Sequence, residues 1–213
     1  MRAPSSPAGL QAVGLRKTYG SVVANRDISI ATQAGSIHAV VGENGAGKST
    51  LMRLLQGVER PDMGEIFVDG VRVDFTNPGD ALRYGIGMVH QEFMIAPDLS
   101  LLENLVLGEE PVKRSWGPFS WIDWPAARAQ GQALADQIGA LIDWDQRAAN
   151  APVHILQFVE IIRLLRRGCR TLILDEPTAV LAPAQVDELF TLLRNLRTQG
   201  TTLLFISHKI GEV

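Results

Sequence analysis

The chain has 213 residues, 46% hydrophobic and 20% charged, with 20 glycines and a formal net charge of −3. That length suits one large or two small domains with a buried core, and the acidic balance offers no footprint for a phosphate backbone, so no nucleic-acid partner is expected. The single Cys169 excludes an internal disulfide framework, no apolar run approaches the ~20 residues that span a bilayer, and the N-terminus has no signal-peptide core, so the expected location is cytoplasmic.

Residues 1–8, rich in Pro and Ser, read as a disordered lead. Alternating apolar positions between Leu10 and Ile30 predict two antiparallel strands, with Lys17-Thr18-Tyr19-Gly20 between them. The Tyr19 ring there either stacks on a purine or caps a hairpin. Next comes the most informative stretch. The apolar run Ile37–Val41 leads into Gly42-Glu43-Asn44-Gly45-Ala46-Gly47-Lys48-Ser49-Thr50, and an apolar-periodic run follows from Leu51. Strand, glycine loop and helix in that order can point successive backbone N–H groups at an anion, and the helix dipole adds positive partial charge. The expected ligand is a nucleotide polyphosphate, with Lys48 on its β- and γ-phosphates and the Ser49 hydroxyl on Mg²⁺.

The helix is predicted to run to about Gln56 and stop at Gly57. Asp69-Gly70 joins Glu65–Val68 to Val71–Val73 as a hairpin, and Gly85–Val89 reads as a buried strand ending in His90-Gln91-Glu92. Ser100 to Glu103 is a capping box that starts a helix. Residues 111–124 hold Trp116, Trp121 and Trp124 in what reads as a Pro/Gly-containing loop, either a docking surface or rings packed onto neighbouring helices. Pro125 fits the first turn of a helix to about Ile142, and Val153–Leu165 reads as a helix buried on most sides. Thr171–Leu174 is a strand that delivers Asp175 and Glu176, the first suited to hold Mg²⁺ through water and the second to orient or deprotonate a water. A helix from Pro183 to Gly200 and a strand over Thr201–Ile206 bring Ser207 and His208 to the same kind of strand end.

In this order these residues resemble the ATP-binding cassette of ABC transporters, from Leu10 to Val213. Tyr19 matches the adenine-stacking aromatic, Gly42 to Thr50 the Walker A loop, and Gln91 the Q-loop glutamine. Leu172 to Glu176 match Walker B with the catalytic glutamate, and His208 the switch histidine. The resemblance implies an α/β fold: a P-loop NTPase core with an antiparallel β subdomain and an inserted α-helical subdomain at about 97–168. Val159-Glu160-Ile161 and Asp175 to Leu181 look like the group importing simple sugars or nucleosides, and the chain looks like the first of two cassettes. The implied catalytic residues are Glu176, His208, Lys48 and Gln91, with Ser49, Gln91 and Asp175 on Mg²⁺ and Tyr19 and residues 42–50 on ATP. The implied partners are a second cassette, transmembrane permease subunits and, indirectly, a periplasmic or lipoprotein solute-binding protein, with the chain held on the cytoplasmic face of the membrane through the permease. A non-transport ABC ATPase acting on nucleic acid or ribosomes, and a fragment that binds ATP without turnover, are the alternatives.

The sequence departs from the family in three places. The signature loop, ideally Leu-Ser-Gly-Gly-Gln, is matched by Ala151-Pro152-Val153-His154-Ile155, which puts a histidine where backbone must approach a γ-phosphate. The aspartate of the family's D-loop is Ala182. The chain also stops soon after His208, so the resemblance implies a cassette that is C-terminally incomplete.

Overall fold

The computed structural model describes residues 8–116 and 119–207, so the lead residues 1–7 and His208 lie outside the described residues. The chain divides into two compact units. Described residues of Met1–Gln91, Cys169–Ala179 and Leu196–Val213 form the first, and those of Glu92–Gly168 and Val180–Asn195 the second.

The first unit contains two four-stranded sheets. One is antiparallel, in the order β2 (Val22–Gln33), β1 (Ala8–Tyr19), β4 (Met63–Val68), β5 (Val71–Val73). Ala8, expected in the lead, instead begins β1, pairing with Gln33. Asp69 and Gly70 both take positive φ between β4 and β5, as a tight hairpin with this pair of residues requires. The other sheet is parallel: β3 (Ile37–Val41), β10 (Thr202–Ser207), β9 (Thr171–Asp175), β6 (Ile86–Val89). Its register aligns Val41 with Ser207, Ile206 with Asp175 and Leu174 with Val89, so the C-terminal ends of all four strands lie along one edge.

Helix α1 (Lys48–Leu55) buries Leu51, Met52, Leu54 and Leu55. They join Leu10, Leu15, Ile66 and Phe75 with Ile173, Leu204 and Ile206 in one core cluster. Burying a leucine is worth roughly 1.5–3 kcal/mol, which fixes α1 and therefore the loop before it. A short helix that the sequence reading did not anticipate, α2 (Pro78–Arg83), follows the N-cap Asn77, with proline in its first turn.

In the second unit, α3 (Leu101–Val106), α4 (Trp124–Ile138) and α5 (Val153–Arg166) pack on one another, and α6 (Pro183–Thr198) begins there. The capping box at Ser100 forms as expected, with the Glu103 carboxylate accepting from the Ser100 N–H at 2.7 Å. Gly131 lets α4 approach closely, since a Cβ there would lie 2.5 Å from Leu105 Cδ2. Helix α4 stops at Ile138 rather than Ile142, because Gly139 turns left-handed and sends its own N–H back to Asp136.

Residues 111–124 are not a loop. They contain β7 (Val112–Trp116) paired antiparallel with β8 (Phe119–Ile122). Nor do both described rings simply pack on helices, since Trp121 is 76% exposed.

Candidate functional site

The loop 42–47 leaves β3 at the aligned strand edge and enters α1. Gly45 and Gly47 have φ of 85° and 86°, a region that costs a side-chain-bearing residue roughly 1–2 kcal/mol. Gly47 is needed for space as well, because a Cβ there would sit 2.3 Å from the Ala24 carbonyl oxygen. Buried Asn25 fastens the same glycine, its amide donating to the Gly47 carbonyl at 3.1 Å. No side chain caps α1 and its first turn carries no acid, so its N-terminal N–H groups are not taken up by a capping side chain. Lys48 folds back across the loop, donating to the carbonyls of Gly42 at 2.5 Å and Glu43 at 2.9 Å.

An open cleft of about 550 Å³ lies beside this loop. Asn44, Gly45, Gly47, Lys48, Ser49 and Thr50 line it together with Gln91, Asp175, Glu176 and Val22 to Ala24 of β2. The strand register explains the gathering, since Gln91 follows β6, Asp175 ends β9, and Gly42 follows β3. Burial raises the Asp175 carboxyl, reinforced by the neighbouring Glu176 charge, while His90 and Lys48 oppose the rise. Glu176 has φ of 46°, uncommon for a residue with a side chain, and its N–H is held by the Ile206 carbonyl at 3.0 Å. A strained backbone of this kind clusters at functional sites.

Gly42, Glu43 and Ala46 shape the loop without lining the cleft, and His208 lies outside the described residues. Tyr19 is also absent from the cleft wall. It pairs with Val22 at the end of the hairpin, its hydroxyl hydrogen-bonded to Glu59 and Lys17 Nζ 5.7 Å from its ring centre. Sequence reasoning missed Asn25 and the β2 residues 22–24, because a buried asparagine and two valines in a strand carry no distinctive spacing.

The donor set fits a hard divalent cation. Two carboxylates, two hydroxyls and two side-chain amides line one cleft, and Mg²⁺ takes few protein ligands when phosphate and water complete its shell. Among the described residues no group of three or more His, Cys, Asp or Glu side chains lies together as a metal cage.

Segment 151–155 lies in the second unit. Pro152 precedes α5 as a cap residue without a capping side chain. The His154 ring does not project outward. Only 15% of its side chain is exposed; the ring lies edge-on to Phe158 at 5.7 Å, with Nε2 3.6 Å from the Glu188 carboxylate. The bulk expected to obstruct an approaching phosphate is thus turned largely into its own unit. Further along α5, Glu160 accepts from the Met94 N–H, and Arg163 donates to the Met94 carbonyl at 3.2 Å. Burial pushes the Glu160 carboxyl up to about 7.

The profile of the family described as ABC transporter matches residues 25–179. A ribose import ATP-binding protein of Rubrobacter xylanophilus is 42% identical over 94% of this chain and 39% of its own length. One from Streptomyces coelicolor is 42% identical over the whole chain and 42% of its own length, and one from Chromobacterium violaceum is 40% identical over 94% and 39%. The chain therefore spans about two fifths of the length of these curated relatives. Among solved structures, the ADP conformation of an ATP-binding cassette of an ABC transporter superposes with a TM-score of 0.82 at 25% identity, over 97% of this chain and 83% of that one. A nucleotide-free cassette superposes at 0.83 and 24%, with the same coverage.

Proposed function

The chain belongs to the ABC transporter family, and from that premise we propose that it is an ATP-binding and hydrolysing cassette that energises import of a small solute through a membrane permease. The observation that carries the proposal is the cleft where a glycine loop, a lysine, a glutamine and two acids meet at one sheet edge. The relatives quoted are named for ribose import, which favours a simple sugar as solute and transport over action on nucleic acid.

In this reading the loop amides and Lys48 cradle the phosphates, exchanging the Lys48 bonds to its own loop for bonds to the nucleotide. Ser49, Gln91 and Asp175 supply oxygens for Mg²⁺, which when bound would offset phosphate charge and bring down the raised Asp175. Glu176, held by its left-handed backbone, takes the proton of the attacking water. By the sequence resemblance, His208 contacts the γ-phosphate and Tyr19 stacks on adenine beyond Val22. The proposed partners are a second cassette and permease subunits, the latter faced by the helical subdomain at about 97–168 and holding the chain at the cytoplasmic face of the membrane, with a periplasmic or lipoprotein solute-binding protein reached only indirectly.

We further propose unequal sites in the two-cassette assembly. The site built on Lys48, Asp175, Glu176 and His208 hydrolyses ATP, whereas the one leaning on segment 151–155 mainly binds it, because Pro152 brings neither a hydroxyl nor an N–H and His154 is engaged with Phe158 and Glu188. Turnover measured in the complete two-cassette protein tests both statements. Glu176→Gln should lower it by ~10²–10⁴-fold with ATP binding retained. Unchanged turnover, with activity lost on the matching change in the second cassette, would reverse the assignment.

A further inference from the structure

The cleft wall has two parts of unlike chemistry. Gln91, Asp175 and Glu176 suit a terminal phosphate and its cation, whereas Val22 to Ala24 of β2 bring no charge and leave room for the nucleoside. Val22 is 62% exposed, and its ladder partner across the hairpin is Tyr19, itself 41% exposed.

The Tyr19 ring is held by contacts that strand pairing does not require. Its hydroxyl donates to one oxygen of the Glu59 carboxylate. The other oxygen accepts from the Arg53 guanidinium at 3.3 Å, and the Glu59 N–H donates to the Arg53 carbonyl at 3.2 Å. Arg53 lies in the last turn of α1, the helix that begins with Lys48 and Ser49. One helix thus supplies phosphate-site groups at its start and fastens the anchor of an aromatic ring near its end. Lys17 covers one face of that ring: its Nζ lies 5.7 Å from the ring centre, donates to the Arg60 carbonyl at 2.8 Å and stands 3.8 Å from Glu59. The backbone on either side of Lys17 is tied down separately, with the Thr18 N–H on the Asp62 carboxylate at 2.7 Å and the Asp62 N–H on the Arg16 carbonyl at 2.8 Å. Loss of the Glu59 carboxylate would therefore free the ring without freeing the strand.

Resting on the nucleotide-binding reading of the cleft, we propose that Glu59 is a positioning residue for the nucleobase: it pins the Tyr19 hydroxyl so that the ring, covered on one face by Lys17, offers the other to the base beside Val22. Glu59 acts through Tyr19 and touches neither base nor phosphate. Its contribution is to fix the ring before the nucleotide arrives, which removes an ordering cost from binding.

Titration calorimetry of the full chain with ATP and with inorganic tripolyphosphate, which has the phosphates and no base, tests it. Glu59→Ala should weaken ATP binding ~3- to 10-fold and leave tripolyphosphate binding as it is. Tyr19→Phe keeps the ring and loses the pinned hydroxyl, so it should do the same, and the double variant should be no weaker than either alone. Glu59→Gln, whose amide oxygen can still accept from the hydroxyl, should recover most of the loss. Tyr19→Ser removes the stack itself and should weaken ATP ~5- to 150-fold. Equal weakening of both ligands by Glu59→Ala would make its role one of fold alone, and an additive double variant would mean that it acts elsewhere than on the ring. Either result overturns the proposal, as does ATP affinity unmoved by Glu59→Ala or Tyr19→Ser. A chain that binds neither ligand would refute the nucleotide cleft itself, and this inference with it.

Discussion

Helices α1 and α5 both begin without a side-chain cap and without an acid in the first turn, so by dipole alone both would attract an anion. Their surroundings differ. The N-terminus of α1 follows two left-handed glycines and opens on a cleft shared with Lys48, Ser49 and two carboxylates. Ahead of α5 stands Pro152, which has no N–H, and the first turn of α5 buries His154 against Phe158 and Glu188. A helix end is therefore only an opportunity. Chain geometry and the facing side chains decide whether it becomes a phosphate site.

The largest test of that contrast removes the charge from the α1 side. Lys48→Ala should weaken ATP binding ~30- to 1000-fold by titration calorimetry, about 2–4 kcal/mol, and unchanged affinity would mean that the cleft is not the phosphate site. Next comes geometry. Gly47→Ala would press a methyl group onto the Ala24 carbonyl at a left-handed φ, and should cost ~2–4 kcal/mol of stability in urea melts along with nucleotide binding.

On the α5 side the sensitive group is Glu160. Its folded-state carboxyl lies at about 7 against an ordinary 4.5, so between those values the folded chain holds a proton that the unfolded chain has released. The stability this gives is full below pH 4.5 and is lost as pH rises to 7. Glu160→Gln cannot lose that proton. Relative to the wild type it should therefore gain ~1–3 kcal/mol on going from pH 5 to pH 8, and parallel pH curves for the two proteins would refute the buried-acid account. The smallest effect belongs to the His154–Glu188 pair, whose glutamate is exposed, where Glu188→Gln should change the free energy of unfolding in urea melts by no more than ~0.5 kcal/mol.

Much of the first unit was legible in the sequence, because strand, glycine loop and helix each carry their own periodicity and Asp69-Gly70 names its own turn. Gln91 and Asp175 could be assigned to strand ends for the same reason. What stayed hidden depended on contacts distant in the sequence. Asn25 matters because Gly47 comes to rest on it, and the inward turn of His154 depends on Glu188, on a different helix. The hairpin at 112–122 was misread because tryptophan, serine and proline in a short run look like loop chemistry, while strand pairing is a property of two segments together.

The place of β3 in its sheet carries a further consequence. Among the described residues, the strand that feeds the phosphate loop is at the edge and bonds only to β10, so Ile37 waits for Leu203 and Val41 for Ser207. At ~5–20 residues per second, the ribosome needs roughly ten to thirty seconds between making the two strands. During that interval the loop's supporting strand has no ladder, and its backbone can pair with any stray strand nearby. The phosphate loop is thus made well before the strand that supports it, which makes the rate of translation between the two a variable in how much of this protein reaches a nucleotide-binding state.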